Sequence, residues 1–268
     1  MNLTLALSAS RVIARQVATV AVQPRRTKAF IGDVLRYISG YSDERAPQSH
    51  LPLCWLDEIF PAIDSCEIRL RHRVEPKALP YAEAFVLASI TASLKPARIF
   101  EIGTFTGGAA LIMAQQAPPG AQIFTLDMPP GQPLRLQGLA ADPPTTENAR
   151  IGERFRGSPY GDQIAQLHGD SATFDYSPYR GQIDLVFIDG SHSYEYVAND
   201  TERALEMLSP KGAIVWDDCS EDYPGVVTAL DERAAVLPIV RIIGTRFAAF
   251  SRPTDPSPRH VAAVKASR

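Results

Sequence analysis

Short apolar runs alternate with amphipathic stretches along most of this chain. RIFEIG (98–103), QIFTLD (122–127), QIAQLHG (163–169), IDLVFID (183–189) and AIVWDD (213–218) are each the length of one strand. Such runs, β-branched and aromatic with little polar alternation, predict strands buried on both faces. Between them lie stretches with helical spacing. These are PYAEAFVLASITASL before the first run, the segment from Gly103 to Ala117, TTENARIGERF (145–155), SYEYVANDTERALEML (193–208) and GVVTALDERAAV (225–236). Pro80 fits the first turn of the first helix and Pro96 stops it. IVRIIG and RFAAFS flank Gly244-Thr245 and predict a closing antiparallel pair. Repeated β-α alternation predicts an α/β fold, a doubly wound and mostly parallel sheet covered on both faces.

The pattern differs before Leu79-Pro80. Residues 27–39 and 53–63 predict short helices, the second broken by Pro61. CEIRLRHRV (66–74) alternates like a half-exposed strand, with Arg69, Arg71 and Arg73 on its solvated face. The expected organisation is a mainly helical extension over 1–79, a catalytic domain over 80–252 and a tail over 253–268. Residues 1–32 contain five basic residues and no acid, on an amphipathic stripe. This reads as a packing or dimerisation helix and predicts a homo-oligomer; an organelle transit peptide or a membrane-surface helix shares the composition.

Composition narrows the classes. The net charge is -3, with 11 Lys/Arg against 8 Asp/Glu over residues 1–80 and an acidic remainder. That excludes the basic surface a nucleic-acid enzyme needs. Cys54, Cys66 and Cys219 are too few and too scattered for a disulfide framework, as in a cytoplasmic protein. No apolar run reaches the length of a membrane span.

The strand ends carry the chemistry. EIGTFTGG (101–108) closes the first strand of the domain. Gly103 permits the sharp turn and Gly107 or Gly108 a close ligand approach, with Thr104 following Gly103. Phe105 replaces the middle glycine of a dinucleotide fingerprint, so the loop suits an adenosine ligand without a pyrophosphate. Asp127, about twenty residues on, is placed to accept from ribose hydroxyls. Glu101 would face a cationic amino-acid part, and Asp170 and Ser171, after the third strand, the adenine amino group.

ARIFEIGTFTGGAALIMAQ, TLD and FIDGSHSYEYVANDTERALEMLSPKGAIVWDD together resemble the class I S-adenosylmethionine-dependent methyltransferases. The last stretch is similar to the small-molecule O-methyltransferases that include macrolide-sugar and catechol-type enzymes. The resemblance covers about residues 80–250 and implies a Rossmann-like, seven-stranded sheet. It also implies that the strands ending at Asp189 and Asp217 are neighbours. Their acids, with Asp218, would then converge and repel unless a hard cation, Mg²⁺ or Mn²⁺, sits among them. Metal-dependent members carry acids at these positions, so the resemblance assigns the metal to Asp189, Asp217 and Asp218, Asp189 also bordering the cofactor. Helix capping is the alternative reading of all three. His192, three residues after Asp189, matches the position of the base in macrolide-sugar enzymes; a histidine bonded at a helix start is the alternative.

The expected activity is methyl transfer from S-adenosylmethionine to a hydroxyl of a small molecule, a sugar moiety or a catechol. The rivals are an NAD-dependent oxidoreductase on the same fold and a non-catalytic nucleotide-binding module. The Pro-rich stretch 128–146 is long for a β-α connection and suits part of a substrate lid or, equally, a rigid structural loop.

Overall fold

The computed structural model describes residues 49–73, 78–129, 135–136 and 151–252. The helices expected in 1–39, and most of the expected lid, lie outside the described residues. All described residues fall in one compact unit, 46–268.

Eight strands form one sheet: β1 (Leu53–Cys54), β2 (Arg98–Ile102), β3 (Gln122–Asp127), β4 (Ile164–His168), β5 (Ile183–Ile188), β6 (Leu208–Trp216), β7 (Val240–Ile242) and β8 (Ala248–Ser251). Their order is β1-β7-β8-β6-β5-β2-β3-β4. Only β8 runs antiparallel to its neighbours β6 and β7. Without the two-residue β1, this is the expected seven-stranded sheet with its closing hairpin. β1 is the addition: it pairs in parallel with β7, Leu53 opposite Arg241. Residues 53–63, expected to be helical, instead supply β1, one helical turn α1 (Leu56–Ile59) and a 3₁₀ turn (Ile63–Ser65).

Four longer helices cover the faces: α2 (Tyr81–Leu94), α3 (Gly108–Gln116), α4 (Tyr194–Met207) and α5 (Pro224–Arg233). Each boundary has a local cause. Pro80 precedes α2, and Lys95 ends it in the left-handed region with Pro96 following. Ser193 caps α4, its hydroxyl accepting from Tyr196 N at 3.4 Å. Pro224 opens α5. The described part of the helix expected at 145–155 is a run of turns from Ile151. Gly152 N bonds Phe105 O, and Arg154 N bonds Thr106 O, so its backbone is spent on the glycine loop.

Every residue of β5 is buried; its one acid, Asp184, accepts from Ala97 N and Ser209 Oγ. One core packs Phe100, Trp216, Val197 and Leu230 under α4 and α5. The other packs Leu87, Met113, Phe187 and Phe247 under α2 and α3. The segment at 66–73 is not a strand. It is extended, but its backbone pairs with side-chain amides of α3: Gln116 with Arg69 N and O, Gln115 with Arg71 N and O. Among the described residues no helix is long and apolar enough to cross a membrane.

Candidate active site

Chain order reverses between β2 and β5, and the loops leaving these two strands separate least there. Gly103 shows how little. A Cβ on it would stand 1.9 Å from Asp189 O and 2.9 Å from Gly190 N. Its φ of +98° is a second demand that glycine meets. In doubly wound sheets this crevice is where ligands bind. A small cleft opens here, lined by Glu101, Gly103, Thr104, Thr106 and Asp189, with His72 and Leu79 also on its lining.

Glu101 is fully buried at its base. One carboxylate oxygen accepts from Thr125 Oγ1, which lies 2.6 Å from Thr104 Oγ1. The other makes no hydrogen bond of ordinary geometry, with only weak support from the Ala110 amide. Burial raises the pKa of Glu101 well above the usual carboxylate range. Thr106 Oγ1, also on the lining, is buried without a partner. A buried acceptor and a buried hydroxyl left open toward one cleft suit a ligand bearing an ammonium and further polar groups. Asp127 ends β3 as expected, and its Oδ2 accepts from Thr104 N at 3.1 Å and Phe105 N at 2.7 Å. It therefore fixes the glycine loop. Burial raises its pKa against the lowering by these amides.

Asp170 follows β4 and lies among donors of the protein itself. Tyr196 Oη donates to its carboxylate, and so do Arg135 N at 3.0 Å and Ala172 N at 2.9 Å. Its oxygens are engaged within the protein. The Ser171 carbonyl accepts from Tyr176 Oη and Asn199 Nδ2.

The acids of the two neighbouring strands do converge. Ile188 pairs with Trp216, so Asp189 and Asp217 leave the sheet side by side. Glu83, Asp217 and Asp218 expose only 4%, 6% and 6% of their surface. Asp189 borders the cleft, and burial followed by the Asp218 charge pushes its pKa up to about 8. Burial and then the Asp189 and Asp218 charges raise Asp217 well above the carboxylate range. Arg246 meets this cluster, contacting Glu83, Asp217 and Asp218.

Donor atoms of Asp189, His192 and Asp218 lie within 4.8 Å of one another, a set that can hold a metal ion. This set contains His192 and not Asp217; one Asp217 oxygen accepts from Asp218 N at 2.6 Å. Excess negative charge and this mixed oxygen and nitrogen donor set fit a divalent cation.

His192 is held from three sides. Its Nε2 lies 2.9 Å from Asp218 Oδ2. The Tyr223 ring packs on it with centroids 4.3 Å apart. Gly225, on α5, approaches so closely that a Cβ would stand 2.4 Å from His192 O. Asp218 reaches it from a backbone φ of +57°, uncommon for a residue other than glycine. Ser193, not an aspartate, caps α4, so the capping alternative for Asp189 does not apply at that helix.

Glu83, Arg246 and Tyr223 were not singled out from sequence. The available signal was Glu83 itself, an acid in an otherwise apolar helix, which implies a buried partner.

Residues 100–219 match a family model described as a methyltransferase domain. No curated protein matches the chain in sequence. Among solved structures, the S-adenosylhomocysteine-bound methyltransferase PaMTH1 of Podospora anserina is similar in fold. It has 19% identity and a TM-score of 0.53, over 83% of this chain and 96% of that one. The O-methyltransferase TomG of Streptomyces achromogenes, involved in tomaymycin synthesis and solved with S-adenosylmethionine, has 18% identity and a TM-score of 0.49. That match covers 66% of this chain and 82% of that one.

Proposed function

We propose, from the premise that this chain carries a methyltransferase domain of the class I fold, that it transfers a methyl group from S-adenosylmethionine to a hydroxyl of a small molecule. One observation carries this reading. Asp189 belongs both to the cleft with the open Glu101 carboxylate and to the group it forms with His192 and Asp218. A cofactor bound over the glycine loop would direct its methyl toward an acceptor beside His192.

In this reading Glu101 receives the cofactor's ammonium and Asp127 orients the ribose through the loop it fixes. Asp189 borders both ligands. The His192 imidazole takes the hydroxyl proton, and Asp218 and Tyr223 keep the ring in place. The acceptor oxygen then forms its bond to the methyl carbon as the carbon–sulfur bond breaks, leaving S-adenosylhomocysteine and a protonated His192. Asp189 and Asp218, with Asp217 beside them, would hold a Mg²⁺ or Mn²⁺ ion, which would supply positive charge beside the acceptor oxygen. A sugar hydroxyl is the acceptor class we favour, followed by a catechol. Its weak acidity explains why a fixed base stands at this position.

The donor set Asp189, His192 and Asp218 favours a second reading, with His192 a metal ligand. His192→Ala separates the two. As the base, it lowers kcat by about 10²–10⁴ with Mn²⁺ affinity unchanged; as a ligand, it loses Mn²⁺ affinity as well. Failure of the wild type to bind S-adenosylhomocysteine in calorimetry would end the methyltransferase reading.

A further inference from the structure

The acids at the sheet edge meet a cation that the chain itself supplies. Glu83 Oε1 accepts from Arg246 N and Nε, each at 3.0 Å, and Oε2 accepts from Nη2 at 3.0 Å. The two guanidinium bonds to one carboxylate fix the plane of the guanidinium, and the backbone amide adds a third. Nη1 then contacts Asp218 Oδ1, and Nη2 lies 3.9 Å from Asp217 Oδ1. Neither Glu83 nor Arg246 belongs to the segment matched by the family model, 100–219. The helix before that segment and the hairpin after it deliver this pair.

We propose that Arg246 is a resident counter-ion of the acidic cluster, holding one oxygen of Asp218 and competing with a divalent cation for it. The inference rests on reading the cluster as a cation site. Arg246 contacts Glu83, Asp217 and Asp218, and Asp189 lies beside Asp218, so four acids meet a single guanidinium. Asp218, however, is already shared: Oδ1 faces Arg246, and Oδ2 lies 2.9 Å from His192 Nε2. A cation that takes Asp218 must displace or crowd one of them, and it is repelled by the guanidinium at short range. Arg246 thereby does two things. It holds Asp218 in the orientation that meets His192, and it limits how tightly the cluster takes a metal.

The test is Mn²⁺ titration followed by paramagnetic resonance of the free ion. The proteins are the full-length wild type, Arg246→Gln and the double variant Glu83→Gln/Arg246→Gln. The double variant removes one buried negative and one buried positive charge, so the cluster keeps its net charge and neither partner is left unpaired. Any gain in affinity then reports the freed Asp218 oxygen rather than overall charge. We expect both variants to bind Mn²⁺ about tenfold tighter or more, the double variant deciding the matter if the single one does not fold. Equal or weaker binding in the double variant overturns the inference, and Mn²⁺ binding by the wild type would then still support the cation reading. Binding by the double variant alone upholds the inference and removes metal dependence from the wild-type reaction. If none of the three binds Mn²⁺, the inference and the cation reading both fall. S-adenosylhomocysteine calorimetry on the same samples tests the methyltransferase reading separately.

Discussion

Gly103→Ala tests whether the crevice between β2 and β5 depends on the absence of one methyl group. The new Cβ would stand 1.9 Å from Asp189 O, where ordinary contact begins at 3.4 Å, so the two loops must part by the difference, 1.5 Å. The obstacle is backbone, which has no rotamer to escape into. Overpacking of this kind costs about 1–3 kcal/mol. Holding alanine at a φ of +98° adds about 1–2 kcal/mol. Together this lowers Tm by about 10 °C in a domain of this size. Function should suffer more than stability, because Asp189 borders the cleft, and a displacement of about 1 Å at reacting groups costs about 10²-fold in rate. Gly120→Ala is the control. Gly120 has a φ of +84°, but no atom lies within 4 Å of its Cβ, so it carries the dihedral cost without the collision. Melting curves, S-adenosylhomocysteine calorimetry and kcat are measured on both. If Gly103→Ala matches Gly120→Ala in all three, the close approach of the two loops is not what shapes the cleft.

Asp127→Ala removes the acceptor for two loop amides, and cofactor affinity should fall by the equivalent of about 1.5–3 kcal/mol; unchanged affinity in calorimetry would remove Asp127 from the site. The Asp189 carboxyl, pushed up to about 8, binds a proton in the native state that the unfolded chain has released. Stability without ligand should therefore fall as pH rises from about 4 to 8, measured by denaturant titration, while Mn²⁺ affinity rises over the upper part of that range; a flat Mn²⁺ profile would contradict the role of Asp189. Deleting residues 1–25 should dissociate an oligomer if that amphipathic segment is the subunit contact, and an unchanged mass in solution argues against it.

The central strands were legible because burial on both faces leaves a chain little besides apolar residues; β2, β3, β4 and β5 sit within a residue or two of the runs that predicted them, while β6 starts at Leu208, five residues before its run. β1 was not legible, since two residues have no period and only β7 makes them a strand. CEIRLRHRV misled for a related reason. Alternation records which side faces solvent, not whether the backbone finds a strand, and here it finds Gln115 and Gln116. At the site, the acids and His192 announced themselves by ending strands. The cation facing them did not. Glu83 and Arg246 lie 163 residues apart, and nothing local to Arg246 sets it apart from a surface arginine.

The position of β8 has a consequence for the order in which the sheet can be completed. β7 has no partner in the central sheet; it reaches β6 only through β8, which follows it in the chain. β1, the earliest strand, attaches only to β7. Among the described strands, the first to be synthesised must therefore wait for the last. A nascent chain that has reached Asp218, two residues past β6, already holds every acid of the cluster, yet Arg246 arrives only with the final hairpin. Until that hairpin docks, the chain's start has no edge to join and its buried carboxylates have no guanidinium to face.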